Sequence, residues 1–332
     1  MKTIVSGIQP TGAINIGTYL GSIKNFVALQ QAHPDHHFFL FIADTHALTV
    51  PQDPVKLRQA IKELAAMYVA CGINLKQTSL FVQSAVSAHQ EMDVLLQSFA
   101  YMGELERMTQ YKDKALKQTS GIRASLFTYP VLMAGDILLY DAEFVPVGDD
   151  QKQHLELTRT IAERVNHQFP DFFNVPKPLI PELTARIMSL QNPDQKMSKS
   201  DPNVKSKILL TDDAAIIKKR IRSAVTDSEG TIRYDANSKK GLSNLIRIYA
   251  ALENRTISDI VKRYETSDYQ TFKADLGDLV ASHLEPIQAR YHSLLKSQEL
   301  IDILNDGQAS AEALAIKKVQ RFKKKLGLGL NR

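Results

Sequence analysis

The sequence has one cysteine, Cys71, and no tryptophan among its 332 residues. A lone cysteine cannot close an intramolecular disulfide, and a chain this long can bury a core without one, so a reducing, cytoplasmic setting is expected. No apolar run approaches the length of a membrane span, and Met1-Lys2-Thr3 leads directly into a strand-like segment rather than a charged leader with an apolar stretch behind it. The expectation is a soluble protein. An excess of one charge is also lacking: 41 basic residues stand among 36 acidic ones, and the net +5 permits a polyanionic partner without demanding one. There is no His-Glu-x-x-His and no Cys/His ligand spacing, so no zinc is expected. His33, His36 and His37 do cluster, but between a helix and a strand, where they read as a solvated loop. No G-x-G-x-x-G stands in the first strand–helix turn. Gly12-Ala13-Ile14-Asn15-Ile16-Gly17-Thr18 has the glycine spacing of a phosphate loop but lacks the lysine that would reach the terminal phosphates.

What is present is an alternating pattern. Thr3 to Ile8 is a short β-rich run ending at the breaker Gln9-Pro10-Thr11-Gly12, and a helix-like stretch follows to about Gln31. His37 to Ile42 is apolar after its first residue, as in a strand covered on both faces. Leu57, Ile61, Leu64, Ala65, Tyr68 and Val69 recur at helical spacing, Ser79 to Val86 gives a third strand, and Gln90 to Met108 another helix. This order predicts a parallel sheet with right-handed crossovers, whose ligands bind beyond the carboxyl ends of the strands. Past Arg186 the chain reads as helices: Asp213–Val225, Gly241–Leu252, Ile257–Tyr264, Tyr269–Leu304 with a break near Pro286, and Ser310–Leu326. Basic residues cluster in a loop (Lys112, Lys114, Lys117), on one helix (Lys218, Lys219, Arg220, Arg222) and near the end (Lys317, Lys318, Arg321, Lys323, Lys324, Lys325). Solvated faces explain most such runs.

Two motifs far apart carry chemistry. Pro10-Thr11-Gly12-x-x-Asn15-Ile16-Gly17-Thr18 joins the first strand to the first helix, offering backbone N–H groups at a helix start and small residues that let a nucleotide approach. Lys196-Met197-Ser198-Lys199-Ser200 offers two ammonium groups within four residues, with hydroxyls beside them, which suits a flexible polyphosphate. Between them, Tyr129, Leu132, Met133, Asp136, Ile137 and Tyr140 share one helical face. An aspartate in an apolar stripe is costly unless paired, and the stripe alone reads as a carboxylate satisfied by a backbone or arginine partner.

Together the two motifs resemble the paired signatures of class I aminoacyl-tRNA synthetases. Thr128-Tyr129-Pro130 through Tyr140, Val145-Pro146-Val147-Gly148 through Arg159, Ala185-Arg186-Ile187-Met188-Ser189-Leu190, Gly103 to Met108 and Ser223 to Asp227 narrow the likeness to the bacterial-type tryptophanyl-tRNA synthetases. Two positions depart from that family's pattern: Thr18 stands where it has histidine or asparagine, and Asn15 where it commonly has threonine. The resemblance implies a Rossmann-like α/β parallel-sheet catalytic domain over 1–186. A helical domain on the anticodon side of tRNA would span 187–290, and C-terminal helices over 291–332 would pack back on the first domain. It implies activation of L-tryptophan with ATP and transfer to tRNA, with Mg²⁺ bound through the phosphates, in a homodimer. A tyrosine-specific enzyme on the same scaffold, or a non-catalytic RNA-binding relative, are the alternatives. By the same resemblance, Lys196, Lys199 and Thr18 would be catalytic. Gln9, Pro10, Thr11, Gly17, Thr18, Gly148, Asp149, Asp150, Ile187, Lys196, Met197, Ser198, Lys199 and Ser200 would hold ATP. Asp136 would accept the indole N–H, and Tyr129, Met133, Val147, Gln151, Val5 and Gly7 would complete the tryptophan pocket. Thr18 is expected to donate its hydroxyl to a phosphate oxygen.

Overall fold

Side-chain alternation along the strands sorts the core into two layers. In the computed structural model, which describes residues 2–116, 121–148, 151–179, 186–199 and 201–330, strands β1 (Thr3–Ile8), β2 (His37–Ile42), β3 (Thr78–Val82), β4 (Phe144–Pro146) and β5 (Lys177–Leu179) form one parallel sheet in the order β3-β2-β1-β4-β5. Thr3 lies opposite His37 and Phe38 opposite Thr78. Ile4, Phe38, Leu40 and Leu80 feed one buried cluster, while Val5, Phe39, Phe41 and Phe81 feed the other. Both faces are therefore covered, which accounts for the unbroken apolar run of β2. The strand order reverses between β1 and β4, so a crevice opens past their carboxyl ends.

Between β1 and β2 run α1 (Ile16–Thr18), a π turn over Tyr19–Ile23, and α2 (Lys24–Ala32); after β2 come α3 (Asp44–Ala47) and α4 (Pro54–Ala70). Asp53 starts α4 by accepting the amides of Val55 and Lys56 at 2.9 and 3.0 Å, with Pro54 in the first helical position. The expected Gln90–Met108 helix is two helices, α5 (Ala88–Gln97) and α6 (Met102–Glu106). Glu104 accepts the Tyr101 amide at 3.0 Å and begins a new helix there. Lys112 and Lys114 stand on α7 (Thr109–Ala115) rather than in a loop, and Lys117 lies outside the described residues. Next come α8 (Ala124–Leu138) and α9 (Lys152–Gln168), then, beyond β5, the mainly helical region: α10 (Ala214–Arg222), α11 (Lys240–Glu253), α12 (Ile257–Arg263), α13 (Tyr269–Lys296) and α14 (Glu299–Lys325). Helix α13 runs through Pro286 without the expected break, which falls at Ser297 instead. The donor lost at Pro286 would have served Ser282, an exposed position where water can satisfy the carbonyl. His36 is buried and His37 bonds Ser79 at 3.0 Å, so these histidines are not solvated as expected.

The last helix returns to the sheet. Helix α14 packs along β3, where Ser310 accepts from the Ser79 hydroxyl at 2.9 Å and Gln308 donates to the Ala85 carbonyl at 3.0 Å. Lys318, expected on a solvated face, is buried: its ammonium donates to Asp141 at 2.5 Å and to the Phe172 carbonyl at 2.7 Å. It also sits over the Phe172 and Phe173 rings. A Cβ at Gly307 would overlap the backbone carbonyl of Leu80. Gly307→Ala should therefore force helix and strand apart and cost about 1–3 kcal/mol, read as a lower urea midpoint. Gly103→Ala, where the added methyl meets nothing within 4 Å, should leave the midpoint unchanged or slightly higher.

Candidate active site

The two motifs meet. Ile16 donates its amide to the Ile208 carbonyl at 2.8 Å and Leu210 to that of Ile14 at 2.9 Å, an antiparallel bridge centred on Asn15 and Leu209. A second bridge pairs Met188 with Lys196, and the Met197 amide donates to Ile187 at 3.0 Å. This stacking sets the Gly17 turn against both segments: a Cβ at Gly17 would lie 3.4 Å from the Cβ atoms of Ile187 and Met197. Gly12 has φ +69°, and a Cβ there would lie 3.7 Å from that of Lys199, so glycine serves both the turn and the approach. Lys196 and Ser198 are exposed, Met197 is buried, and Lys199 is half-buried, its ammonium pulled below the usual lysine range by burial. Among the described residues that ammonium has no hydrogen-bond acceptor or ion-pair partner, which leaves it poised for an anion. Lys207 holds the loop by donating to the Lys199 carbonyl at 2.7 Å. The Thr18 hydroxyl donates to Asn15 Oδ1 at 3.3 Å, and the same oxygen caps the helix by accepting the Thr18 amide at 2.9 Å. Asp149, Asp150, Ala185 and Ser200 lie outside the described residues.

A cavity of about 640 Å³ opens past β1 and β4. Val5, Gly7, Tyr129, Met133, Asp136, Val147 and Gln151 all line it, together with Gln9. Pro10 is buried and Thr11 exposed in the turn that leaves β1, where the Thr11 amide donates to Gln9 at 2.8 Å; Gly148 is exposed just past β4. Gly7 leaves room for the Phe41 ring, which a Cβ would overlap. The Tyr129 hydroxyl pairs with His154 Nε2 at 2.8 Å, and the Lys114 ammonium lies 5.2 Å from the Tyr129 ring centroid.

Asp136 is 1% exposed and engaged by three side chains that the sequence pattern did not reveal. Oδ1 accepts from Gln83 Nε2 at 2.7 Å and faces His89 Nδ1 at 2.6 Å; Oδ2 faces His46 Nε2 at 2.7 Å. The partners are thus two histidines and an amide, not the backbone or arginine group expected. Burial pushes this carboxyl up, but the hydrogen bonds and charges of His46 and His89 outweigh burial and hold it at about 2. An ionised carboxylate only accepts, so each facing ring nitrogen carries its proton. The other ring nitrogen of His89, Nε2, pairs with the Tyr140 hydroxyl 2.8 Å away. Burial, reinforced by the Asp136 charge, keeps Tyr140 protonated. Two signals in the sequence could have found these groups. His46 follows the carboxyl end of β2, where ligands bind, and His89 interrupts the apolar stripe of Ala88, Met92 and Leu96.

Asp93, one turn of α5 beyond His89, is the network's unbalanced member. Burial pushes its carboxyl up, a Gln97 hydrogen bond at 3.3 Å opposes this, and the Asp136 charge adds to the rise, placing it at about 6. The folded state then holds this proton more tightly than the unfolded chain, so stability falls as pH rises from about 4 to about 6. Asp93→Asn should raise stability at pH 7.5 by on the order of 1–2 kcal/mol, a figure discounted for partial exposure, and the gain should vanish below about pH 4 in urea titrations.

Comparison with known proteins follows the same geometry. The family described as tRNA synthetases class I (W and Y) matches residues 1–285. The tryptophan–tRNA ligase of Bacillus anthracis is 50% identical over 332 residues, all of both chains. That of Bacillus subtilis (strain 168) is 49% identical over 331 residues, 100% of this chain and 99% of its own. Among solved structures, the tryptophanyl-tRNA synthetase of Mycoplasma pneumoniae superposes with a TM-score of 0.87 at 35% identity, covering 99% of this chain and 98% of that one. The Campylobacter jejuni enzyme, complexed with ADP and tryptophan, gives 0.83 at 36% identity over 99% and 100%. With its parallel sheet, its paired loops and this likeness from end to end, the chain belongs to the class I tRNA synthetases for W and Y.

Proposed function

We propose that the cleft activates L-tryptophan with ATP, releasing pyrophosphate, and that the enzyme then transfers tryptophan from the adenylate to the terminal ribose of its tRNA. The relatives that match the chain along its whole length are tryptophan–tRNA ligases. The observation that carries the assignment is Asp136: a buried, ionised carboxylate lining a cavity whose wall also carries Val5, Met133 and Val147. Three of its roughly four acceptor positions are filled, and the remaining one, on Oδ2, suits a ligand with one donor and no acceptor, which describes indole. Met133, Val147, Val5 and Gly7 wall the ring, while Tyr129 and Gln151 orient the amino and carboxylate groups.

The tryptophan carboxylate is ionised at neutral pH, so its attack on the α-phosphorus needs no general base. Catalysis rests on positioning and on neutralising phosphate charge. Lys196 and Lys199 supply that charge, and Lys199 is already partly desolvated. Gln9, Pro10, Thr11, Gly17, Thr18, Gly148, Ile187, Met197 and Ser198 hold the nucleotide; Asp149, Asp150 and Ser200 are assigned to the same task from the sequence alone. Lys114, on the cavity wall, adds a phosphate contact. Among the described residues no group of three or more histidine, cysteine, aspartate or glutamate side chains could hold a metal ion. Mg²⁺ carried by the phosphates of ATP fits that donor set and would neutralise part of their charge.

The helical region over 187–290 approaches the anticodon side of tRNA, and residues 291–332 complete the first domain. Of its basic helix, Lys218 pairs with Asp278 at 2.5 Å and Arg220 with Asp212, which leaves Lys219 and Arg222 for RNA. No helix among the described residues is long and apolar enough to cross a membrane. The enzyme works in the cytoplasm as a homodimer, and sedimentation at micromolar concentration should return twice the chain mass.

Tryptophan-dependent ATP–pyrophosphate exchange tests the assignment, and exchange driven by tyrosine instead would overturn it. Asp136→Ala should raise the KM for tryptophan far more than that for ATP; equal losses would remove Asp136 from the pocket. Lys199→Ala should slow adenylate formation by an amount equivalent to about 2–4 kcal/mol, and an unchanged rate would exclude it from the mechanism.

A further inference from the structure

The segment that carries Ile187 has a second side. In extended backbone successive side chains point to opposite faces, so while Ile187 packs against the Gly17 turn, Arg186 and Met188 face away from it. There they meet α11. Lys240, Asn244 and Arg247 recur at i, i+4 and i+7 and share one face of that helix. Asn244 fixes the registration by accepting the Met188 amide at 2.8 Å and donating to its carbonyl at 2.9 Å. Either side of this clamp the surfaces part, and a cleft of about 310 Å³ remains, lined by Arg186, Met188, Asp194, Lys240 and Arg247.

The charge in this cleft is unbalanced. Three cations face one carboxylate, and only Lys240 is paired with it. Arg247 is half-buried and directs Nε and Nη2 to the Tyr234 hydroxyl at 2.8 and 2.6 Å, which fixes the guanidinium and leaves its Nη1 edge unused. Arg186 is exposed and, among the described residues, has neither hydrogen bond nor ion pair. Lys240 also opens α11, where the unpaired amides of the first turn add positive potential. With Lys240 offset by Asp194, two guanidinium charges are unopposed, one of them held rigid, and this surplus matches a doubly charged oxyanion such as phosphate better than a singly charged carboxylate.

We propose that this cleft binds a phosphate group, separately from the ATP cleft on the other face of the same segment. The phosphate comes either from a free phosphate compound or from an RNA backbone. Because Met188 is clamped to α11 and Ile187 abuts Gly17, an anion bridging Arg186 to Arg247 would tie the nucleotide-facing segment to the helical region.

The test fills the ATP cleft of the full-length enzyme with β,γ-methylene-ATP and L-tryptophan, then compares wild type with Arg186→Gln/Lys240→Gln. In one arm inorganic phosphate and pyrophosphate are titrated calorimetrically. In the other, a tRNA transcript is titrated between 50 and 200 mM salt. Weakening of about tenfold for the inorganic anions identifies a free phosphate compound. Weakening for tRNA, with the salt slope reduced by about two, identifies an RNA backbone. Arg186→Lys, which keeps the charge, should restore most of the lost binding, whereas a merely structural role would not follow charge. Unchanged affinity in both arms overturns the proposal. The RNA arm presupposes the tRNA-charging activity, and tryptophan-dependent exchange by the wild type, measured alongside, reports that activity on its own.

Discussion

A splice between the first turn of the chain and a segment some 190 residues later is the constraint on which the cleft depends. Backbone hydrogen bonds from Ile16 to Ile208 and from Leu210 to Ile14 join two regions that no local propensity would bring together. Once they are joined, Gly17 must touch Ile187 and Met197, and Lys199 must lie beside Gly12. A side chain at position 17 would crowd the Asn15 amide oxygen, 3.2 Å from its Cβ, and use up the contact distance to Ile187 and Met197. The helical region is therefore not an appendage to the sheet: one apolar cluster runs from Ile4 and Phe38 through Leu64 and Tyr68 to Leu245, Phe272 and Leu284. Tyr19 and His283, 2.8 Å apart, and Lys24, which donates to Asn254 at the end of α11, carry the same connection in polar form.

The second organising interaction is electrostatic. A carboxylate placed in an apolar cavity would ordinarily take up a proton, and Asp136 avoids this by gathering Gln83, His89 and His46 from three separate elements. Such a carboxylate keeps a fixed direction, because its donors come from β-sheet ends and helices packed in the core. Its cost is visible nearby. Asp93 is buried with a weaker set of partners, so burial raises its affinity for a proton, and the Asp136 charge adds to the rise.

Much of this was legible in the sequence where one element carries the signal. The apolar run of His37–Ile42 announced a doubly covered strand, and Lys196-Met197-Ser198-Lys199 stood out as two ammonium groups in a short loop. The pocket residues Tyr129, Met133 and Asp136 were readable as one helical face. What was hidden depends on tertiary contact. Nothing around His46 or His89 says that both point at the same carboxylate, and Thr18 reads as a free hydroxyl until Asn15 is seen to bind it. Lys318 looked like one more solvated lysine because its partners, Asp141 and Phe172, lie far upstream. Helix ends were missed where a single bond decides them, as at Tyr101 and Glu104, and Pro286 was overread as a break because its exposure was unknown.

The seat of α14 on β3 bears on how the chain is made. Among the described strands β3 is an edge of the sheet, and the helix that lies along it comes far downstream of it in the chain. Until residues near Gly307 and Ser310 emerge, that border of the sheet stays bare, with Leu80 and Ser79 open to any extended strand that passes. Completion of the sheet's cover thus waits on residues made long after its strands, and a chain that stops before α14 would retain both motif loops while lacking the cover that keeps its sheet solitary.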